Sequence, residues 1–404
     1  MGDLLSALSL QMGYNATLVA IGAALLGAAA GVTGTFLFLR KRALVSDAIS
    51  HATLPGVGIA FMVMVALGGD GRSLVGLMIG SALSAVLGLL CVGWLTQRTR
   101  LSEDASIGAV LSVFFGFGVV LLTVIQTMSA GRQAGLESFL LGATAGMLRS
   151  EALVIAGGGT VAVLLVALLR RPMTLAAFDP EYTAGAGWPL ARIDFAMMAL
   201  VTAVTVVGLK IVGLILIVAL LIIPPVAARF WSARAGHVAA LAGVIGALSG
   251  FIGAAISASA PSLPTGPIIV LVSSAIFALS LLVAPERGVL ASMRRRQKFH
   301  RAVHLRQGLL ALAHAQPVYE PLTQRLLRKE GLLRADGVPT PAGEAAAAAI
   351  RLDERRWQVL RADPALESAA AQYDGLTDVS AVLTRDQMAQ IDTRLGTDPW
   401  EATA

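Results

Sequence analysis

Apolar runs long enough to cross a bilayer recur at about 15–39, 44–66, 73–95, 105–128, 152–169, 238–258 and 267–284. A transmembrane helix needs roughly 20 such residues, so each run predicts one span. A longer run, 194–228, is interrupted around Gly208, Lys210 and Gly213 and predicts one bent span or two short ones. Eight or nine spans follow, and the chain reads as an all-α polytopic membrane protein. Composition supports the same class: 56% of residues are hydrophobic, 14% are charged and the mean hydropathy is +0.75, a balance outside the range of soluble domains.

The charges divide the chain in two. Residues 1–284 hold 14 Lys and Arg and 10 Asp and Glu, whereas the remaining 120 residues hold 17 and 15. The shift predicts a transmembrane domain over 1–292 and a polar domain over 293–404. Basic clusters fall at Arg40-Lys41-Arg42, Arg98 with Arg100, Arg170-Arg171, Arg229 with Arg234, and Arg294-Arg295-Arg296. Positive loops are retained in the cytoplasm, and placing all five inside requires nine crossings, an outer N-terminus and a cytoplasmic C-terminus. The same loops account for the net charge of +6, so basicity alone does not argue for nucleic acid. Asp3 stands where a signal peptide carries its basic region, and the first run is too long for one, so it reads as an uncleaved span. The single cysteine, Cys91, excludes an intramolecular disulfide and a cysteine-based metal cluster, and reads as a small core residue.

Within this apolar framework the segment "SDAISHATLPG" (46–56) is out of character. Asp47 and His51 lie four residues apart and face one side of a helix, presenting a carboxylate oxygen and an imidazole nitrogen to one point. They make half of a metal site. Divalent manganese, iron and zinc accept this mixed set, whereas copper(I) favours Cys and Met and calcium favours more carboxylates. Ionisable groups are costly inside a span and usually mark a transport pathway. The bland alternative stays open: Asp47 caps a helix start and His51 simply packs. Pro55-Gly56, one turn on, interrupts the helix ladder and predicts a kink beside a cavity. Two ligands are too few to capture an ion, so a second copy of the chain or a related subunit is needed to bring the total to four.

The second informative stretch is "VVGLKIVGLILIVALLIIPPVAARFWSARAGHVAALAG" (206–243), where a hydrophobic run stops at Pro224-Pro225 and a short segment with Arg229 precedes the next span. This resembles the coupling segment of binding-protein-dependent ABC importers; an ordinary cytoplasmic turn is the alternative. Glu103 and Asp104 precede a span and read as helix caps. Glu137 and Glu151 flank an extracytoplasmic stretch, and His237 reads as structural.

Taken in order, "FLRKRALVSDAISHATLPGVGIAF" (36–61), "LSEDASIGAVLSVFFGFGVVLL" (101–122), "GLESFLLG" (135–142), "VGLILIVALLIIPPVAARF" (212–230) and "PTGPIIVLVSSAIFALSLL" (264–282) resemble the membrane subunit of manganese/zinc/iron ABC importers. The resemblance covers about residues 15–285. It implies an all-helical permease fold of the vitamin-B12-importer type in the bacterial inner membrane. It also implies a second permease subunit, identical or related, two cytoplasmic ATPases and an extracytoplasmic metal-binding protein. Asp47 and His51 match the family's pathway residues, while Pro224, Pro225 and Arg229 lie in the segment matched to ATPase coupling. The metal is cargo, and no permanently bound cofactor is expected. The sequence has no GxxxxGK[ST] phosphate loop, so ATP hydrolysis falls to another subunit. On nine spans Asp47 lies near the cytoplasmic end of the second, shallower than a gate would be expected to sit.

The tail from about 293 predicts helices over 304–315 and 319–333, then a turn and a new helix with Thr340 capping and Pro341 in its first turn. Helix, helix, tight wing, helix is a winged-helix order. The run "LTQRLLRKEGLLRADGVPTPAGEAAAAAIRLDERRWQVLR" resembles repressors of the diphtheria-toxin-repressor type, yet the segment after the wing has neither His nor Cys for their regulatory metal. Only "AQPVYE" separates the two helices before the wing, so a regulatory or docking role is favoured over DNA binding. The function expected is therefore the permease subunit of an ATP-driven importer of manganese, zinc or iron. A membrane-tethered metal-responsive transcription regulator and a secondary metal transporter are the rivals.

Overall fold

The computed structural model describes residues 6, 9–11, 13–69, 71, 73–128, 149–260 and 263–396, with the side chains of residues 74, 210 and 211 left aside. Glu137 and the segment 135–142 lie outside the described residues. Two compact units are present, Met1–Ala291 and Ser292–Ala404.

The first unit is built from α1 (Tyr14–Leu39), α2 (Ala43–Ala66), α3 (Leu74–Arg98), α4 (Glu103–Thr127), α5 (Arg149–Phe178), the short α6 (Pro180–Gly185), α7 (Leu190–Val212), α8 (Leu214–Arg229), α9 (Ala235–Ala258) and α10 (Thr265–Val283). Among the described residues eight helices have the length and apolarity to cross a membrane, and α8, with 16 residues, is a shorter apolar helix. The protein is a multi-pass membrane protein.

The interrupted run resolves into two helices because Gly213 adopts φ +81°, a conformation that L side chains avoid. Position 208 on α7 faces Ile217 of α8 and Leu26 of α1: a Cβ there would stand 2.6 Å from Ile217 Cδ1 and 3.3 Å from Leu26 Cδ1. The α7–α8 pair therefore turns back near the middle of α1, about 7 Å past Leu26, whereas α1 runs on for about 18 Å to Tyr14. Pro224 and Pro225 do not end the hydrophobic run as the sequence had indicated. Both are buried inside α8, which continues to Arg229. Pro225 has no N–H for the carbonyl of Leu221, and that carbonyl lies against Gly34 of α1, where any Cβ would overlap it. The carbonyl that lacks its ladder bond is thus covered by the close approach of α1 rather than by lipid.

Helices α1, α2 and α9 form the centre, with more than half of each span window buried, while α3, α4, α5 and α10 are at most 28% buried and present Leu87, Leu90, Val113, Leu168 and Leu271 outwards. Lipid tails are as apolar as these side chains, so the outer helices need no polar cover. The centre is held by small residues. Ala23, Gly27 and Gly31 of α1 meet Gly250, Gly246 and Ala242 of α9, backbone against backbone. On the other side α2 lies between α3 and α4, with Gly56 against Gly80, Gly88 against Ala52 and Gly118 against Leu54 and Pro55.

The second unit holds most of α11 (Val289–Ala313), then α12 (Pro321–Lys329), α13 (Pro341–Ala362), α14 (Glu367–Ala370) and α15 (Arg385–Leu395). The sequence reading began α11 at 304, but the helix starts fifteen residues earlier and takes in the whole basic run. Thr340 caps α13 by accepting from Gly343 N at 3.1 Å, with Pro341 in the first turn. The tight wing reduces to one antiparallel bridge, Leu333 to Pro339, turning at Gly337 with φ +86°. Among the described residues there is no named strand. Trp357, fully buried, donates Nε1 to Thr377 O at 3.1 Å and packs with Leu360, Val379, Leu383 and Ile391. Arg306, 7% exposed, joins α11 to α13 through Asp353 at 3.0 Å and Glu354 at 2.8 Å, and Asp353 also accepts from Val379 N. Burial alone would lower the pKa of this guanidinium; the two carboxylates outweigh it and hold the pKa raised.

Candidate metal site

Asp47 and His51 occupy the second and third turns of α2. Their side chains meet, Asp47 Oδ1 to His51 Nε2, at 3.3 Å. A single ion with bonds of about 2.1 Å to each atom would subtend about 100° at that separation, between octahedral and tetrahedral angles. The separation of the two donor atoms is that of neighbouring ligands on one ion. The His51 ring stands edge-on to Phe115 of α4, centroids 4.9 Å apart and planes at 86°, which fixes its plane. His51 Nδ1 is buried with no hydrogen-bond partner, an unusual cost for an imidazole.

Among the described residues Leu44, Asp47 and His51, three and four residues apart, are half-buried or exposed on α2; residues 52–58 are buried, and exposure resumes at Ile59 and Val63. Ser46, Ser50 and Thr53, by contrast, bond only to their own helix backbone. Pro55 removes the N–H that would reach the carbonyl of His51, freeing a backbone oxygen one turn from the pair. Among the described residues no third His, Cys, Asp or Glu joins the pair to make a cluster able to hold a metal. Among the described residues the pair alone offers two side-chain ligands.

An ion-pair network stands at the end of the bundle where α2 begins. Arg40, 10% exposed, reaches Asp194 of α7 at 2.9 Å and also donates to the carbonyl of Ala176 in α5. Arg42 reaches the same Asp194 at 3.4 Å and Glu103 of α4 at 2.8 Å. Four helices are thus tied around the first turn of α2. The helix cap of α4 is Ser102, which accepts from Ala105 N at 3.3 Å; Glu103, read from sequence as a cap, is an ion-pair partner instead. Asp194→Ala would strand the buried Arg40 guanidinium and cost about 2–3 kcal/mol. Thermal unfolding of the purified variant measures it, and Arg40→Met in the same chain should recover part of the loss.

The remaining sequence candidates are dispersed. Arg229 ends α8 and donates to Ser232 O at 3.1 Å, in a turn of residues 230–234 that carries no helix. Glu151 lies in the first turn of α5, His237 is exposed near the start of α9, and Cys91 is half-buried on α3. The sequence reading passed over α6, which Asp179 caps by accepting from Tyr182 N at 2.8 Å. Phe178, Tyr182 and Trp188 around it are 46–62% exposed, and the signal for it was the polar, aromatic break between two apolar runs.

The family model described as "ABC 3 transport family" matches residues 13–284, which takes in every helix from α1 to α10. The chain belongs to this ABC 3 family. Among curated relatives, the manganese transport system membrane protein MntC of Bacillus subtilis is 37% identical over 298 residues, 74% of this chain and 67% of the relative. The zinc transport system membrane protein TroC of Treponema pallidum is 39% identical over 285 residues, covering 70% of this chain and 94% of the relative. Among solved structures, PsaBC from Streptococcus pneumoniae in complex with Fab superposes with a TM-score of 0.61 at 27% identity, covering 71% of this chain and 97% of that one. The ABC 3 match ends where α10 ends, and the tail lies beyond it.

Proposed function

We propose that this ABC 3 chain is the permease subunit of an ATP-driven importer of a divalent transition metal: manganese, zinc or iron. The observation that carries the reading is the Asp47–His51 pair on α2, with 3.3 Å between its two donor atoms. The manganese and zinc systems of the relatives support the choice of cargo. Among the described residues only two ligands meet here, so a second permease subunit facing the pair completes the site and also covers the charged groups from lipid. ATP is hydrolysed by separate cytoplasmic subunits, and an extracytoplasmic binding protein delivers the ion.

In this mechanism Asp47 and His51, with their counterparts across the pathway, replace part of the ion's lost hydration. Four ligands at most keep the hold moderate, as release on the far side requires. The basic loops place the 230–234 turn and α6 at the cytoplasmic face, together with the C-terminus. While the buried Pro224-Pro225 segment lies inside α8, Arg229 with the 230–234 turn and the exposed aromatics of α6 then meet the ATPases. Their closure is passed through α8 and the Arg40–Asp194–Arg42–Glu103 network to the start of α2. The tail serves as a winged-helix-like docking or regulatory domain, with α12 and the Leu333–Pro339 bridge in the positions of second helix and wing.

The test is metal uptake into vesicles containing the permease pair, ATPase and binding protein. Uptake that requires ATP hydrolysis is expected; uptake that persists without the ATPase would mean a secondary transporter. Deleting the residues after about 292 should spare uptake, whereas a tethered transcription regulator would lose its function with them.

A further inference from the structure

The first four turns of α11 are the most concentrated positive surface of the chain. Arg294, Arg295, Arg296, Lys298 and Arg301 fall within eight residues, and residues 292–302 are all exposed. Arg294, Lys298 and Arg301 recur at i, i+4 and i+7, so they form one ridge along the helix. Val289, Leu290 and Met293 lie beside that ridge at 40–55% exposure, and Phe299 is 57% exposed. Clustered exposed cations next to a span are what a juxtamembrane segment presents to anionic lipid. Within the second unit the ridge continues into an open groove of about 750 Å³, lined by Met293, Arg294, Lys298 and Arg301 of α11 and by Leu322 and Leu326 of α12. Four of these six residues make a cationic edge with one apolar neighbour, and the two leucines make an apolar wall.

The position in the chain matters as much as the charge. Only residues 284–288 separate the end of α10 from the start of α11, so the ridge follows the last span directly. Ordinary positive-inside loops need charge but no apolar strip. A nucleic-acid surface would concentrate its free cations on α12, the helix that a winged helix places in the groove. There Arg328 is engaged with the carbonyl of Ala335, leaving Arg325 and Lys329.

We propose that the α11 ridge and its groove bind the headgroups of anionic phospholipids in the leaflet next to the end of α10. The phosphates pair with Arg294 and Lys298 while Met293, Leu322 and Leu326 meet the glycerol and upper acyl region. Arg301, which also pairs with Glu330, borders the site. The tail is thereby tied to the membrane surface as well as to the last span. Which leaflet is cytoplasmic rests on the reading of the basic loops, but the binding chemistry does not.

The full-length chain in nanodiscs tests this by hydrogen–deuterium exchange across residues 289–304. Discs of phosphatidylcholine alone are compared with discs containing phosphatidylglycerol in both leaflets, so the outcome is independent of the side the tail occupies and of metal transport. Exchange about 25-fold slower in the anionic discs is expected, since Arg294 and Lys298 near an anionic surface each contribute roughly fivefold. Arg294→Gln/Arg296→Gln/Lys298→Gln should abolish the difference while residues 341–362 keep their protection, which shows the tail still folded. Added salt should weaken it. Equal exchange in both discs overturns the proposal. So does protection of 289–304 in neutral discs by duplex DNA without any response to phosphatidylglycerol, the outcome expected of a DNA-binding tail.

Discussion

Alanine at Asp47 or at His51 should reduce metal accumulation by on the order of 100-fold in cells lacking their own importers, with the subunits still assembled in the membrane. Removing an outer partner of a metal ligand already costs 10- to 100-fold, and on the proposed function a ligand itself is removed. The structural cost is small. Asp47 is 36% exposed and His51 18%, and neither side chain supports the core of α2, which is built from Ile49, Leu54, Val57 and Phe61. Following manganese, zinc and iron together names the cargo, because the metal whose uptake falls is the one the pair handles. Unchanged uptake of all three would reduce the pair to an ion pair within α2 and a packed ring; Asp47, in the second turn, is past the cap position held by Arg42.

Gly246→Leu should leave no folded permease. Gly246 of α9 and Gly27 of α1 are so close that a Cβ on either would overlap the carbonyl oxygen of the other. Backbone cannot yield as a side chain can, and the same contact repeats one turn away on each side, at Gly31 with Ala242 and at Gly250 with Ala23. Overpacking in a side-chain core costs about 1–3 kcal/mol, and the cost here exceeds that range because two helices must separate along three turns. Loss of the monodisperse protein on size exclusion in mild detergent measures the effect. Gly236→Leu, at an exposed position with open space around it, is the control and should fold normally.

Much of the membrane fold is legible in the sequence because lipid imposes one requirement, continuous apolar helix. The break at Gly213 was visible as a glycine-flanked interruption, though its consequence, a pair that turns back beside the middle of α1, depends on the packing of Gly208 against Ile217 and Leu26. Pro224-Pro225 misled for a physical reason. Prolines end helices in water, but inside a bundle the freed carbonyl of Leu221 can rest against Gly34. The basic run of α11 was read as a positive cytoplasmic loop because its charges mask a helix whose turns over 292–302 are exposed. Asp47 and His51 share a face by spacing alone. Asp194 was not legible, since its partners Arg40 and Arg42 lie more than 150 residues away and an acid at a span start resembles any helix cap.

The most direct measurement is anomalous diffraction at the zinc edge from the assembled permease pair loaded with zinc. The account predicts one ordered ion about 2.0–2.2 Å from an Asp47 carboxylate oxygen and a His51 ring nitrogen. An ion ordered elsewhere in the membrane domain, with Asp47 and His51 still bonded only to each other, would contradict it.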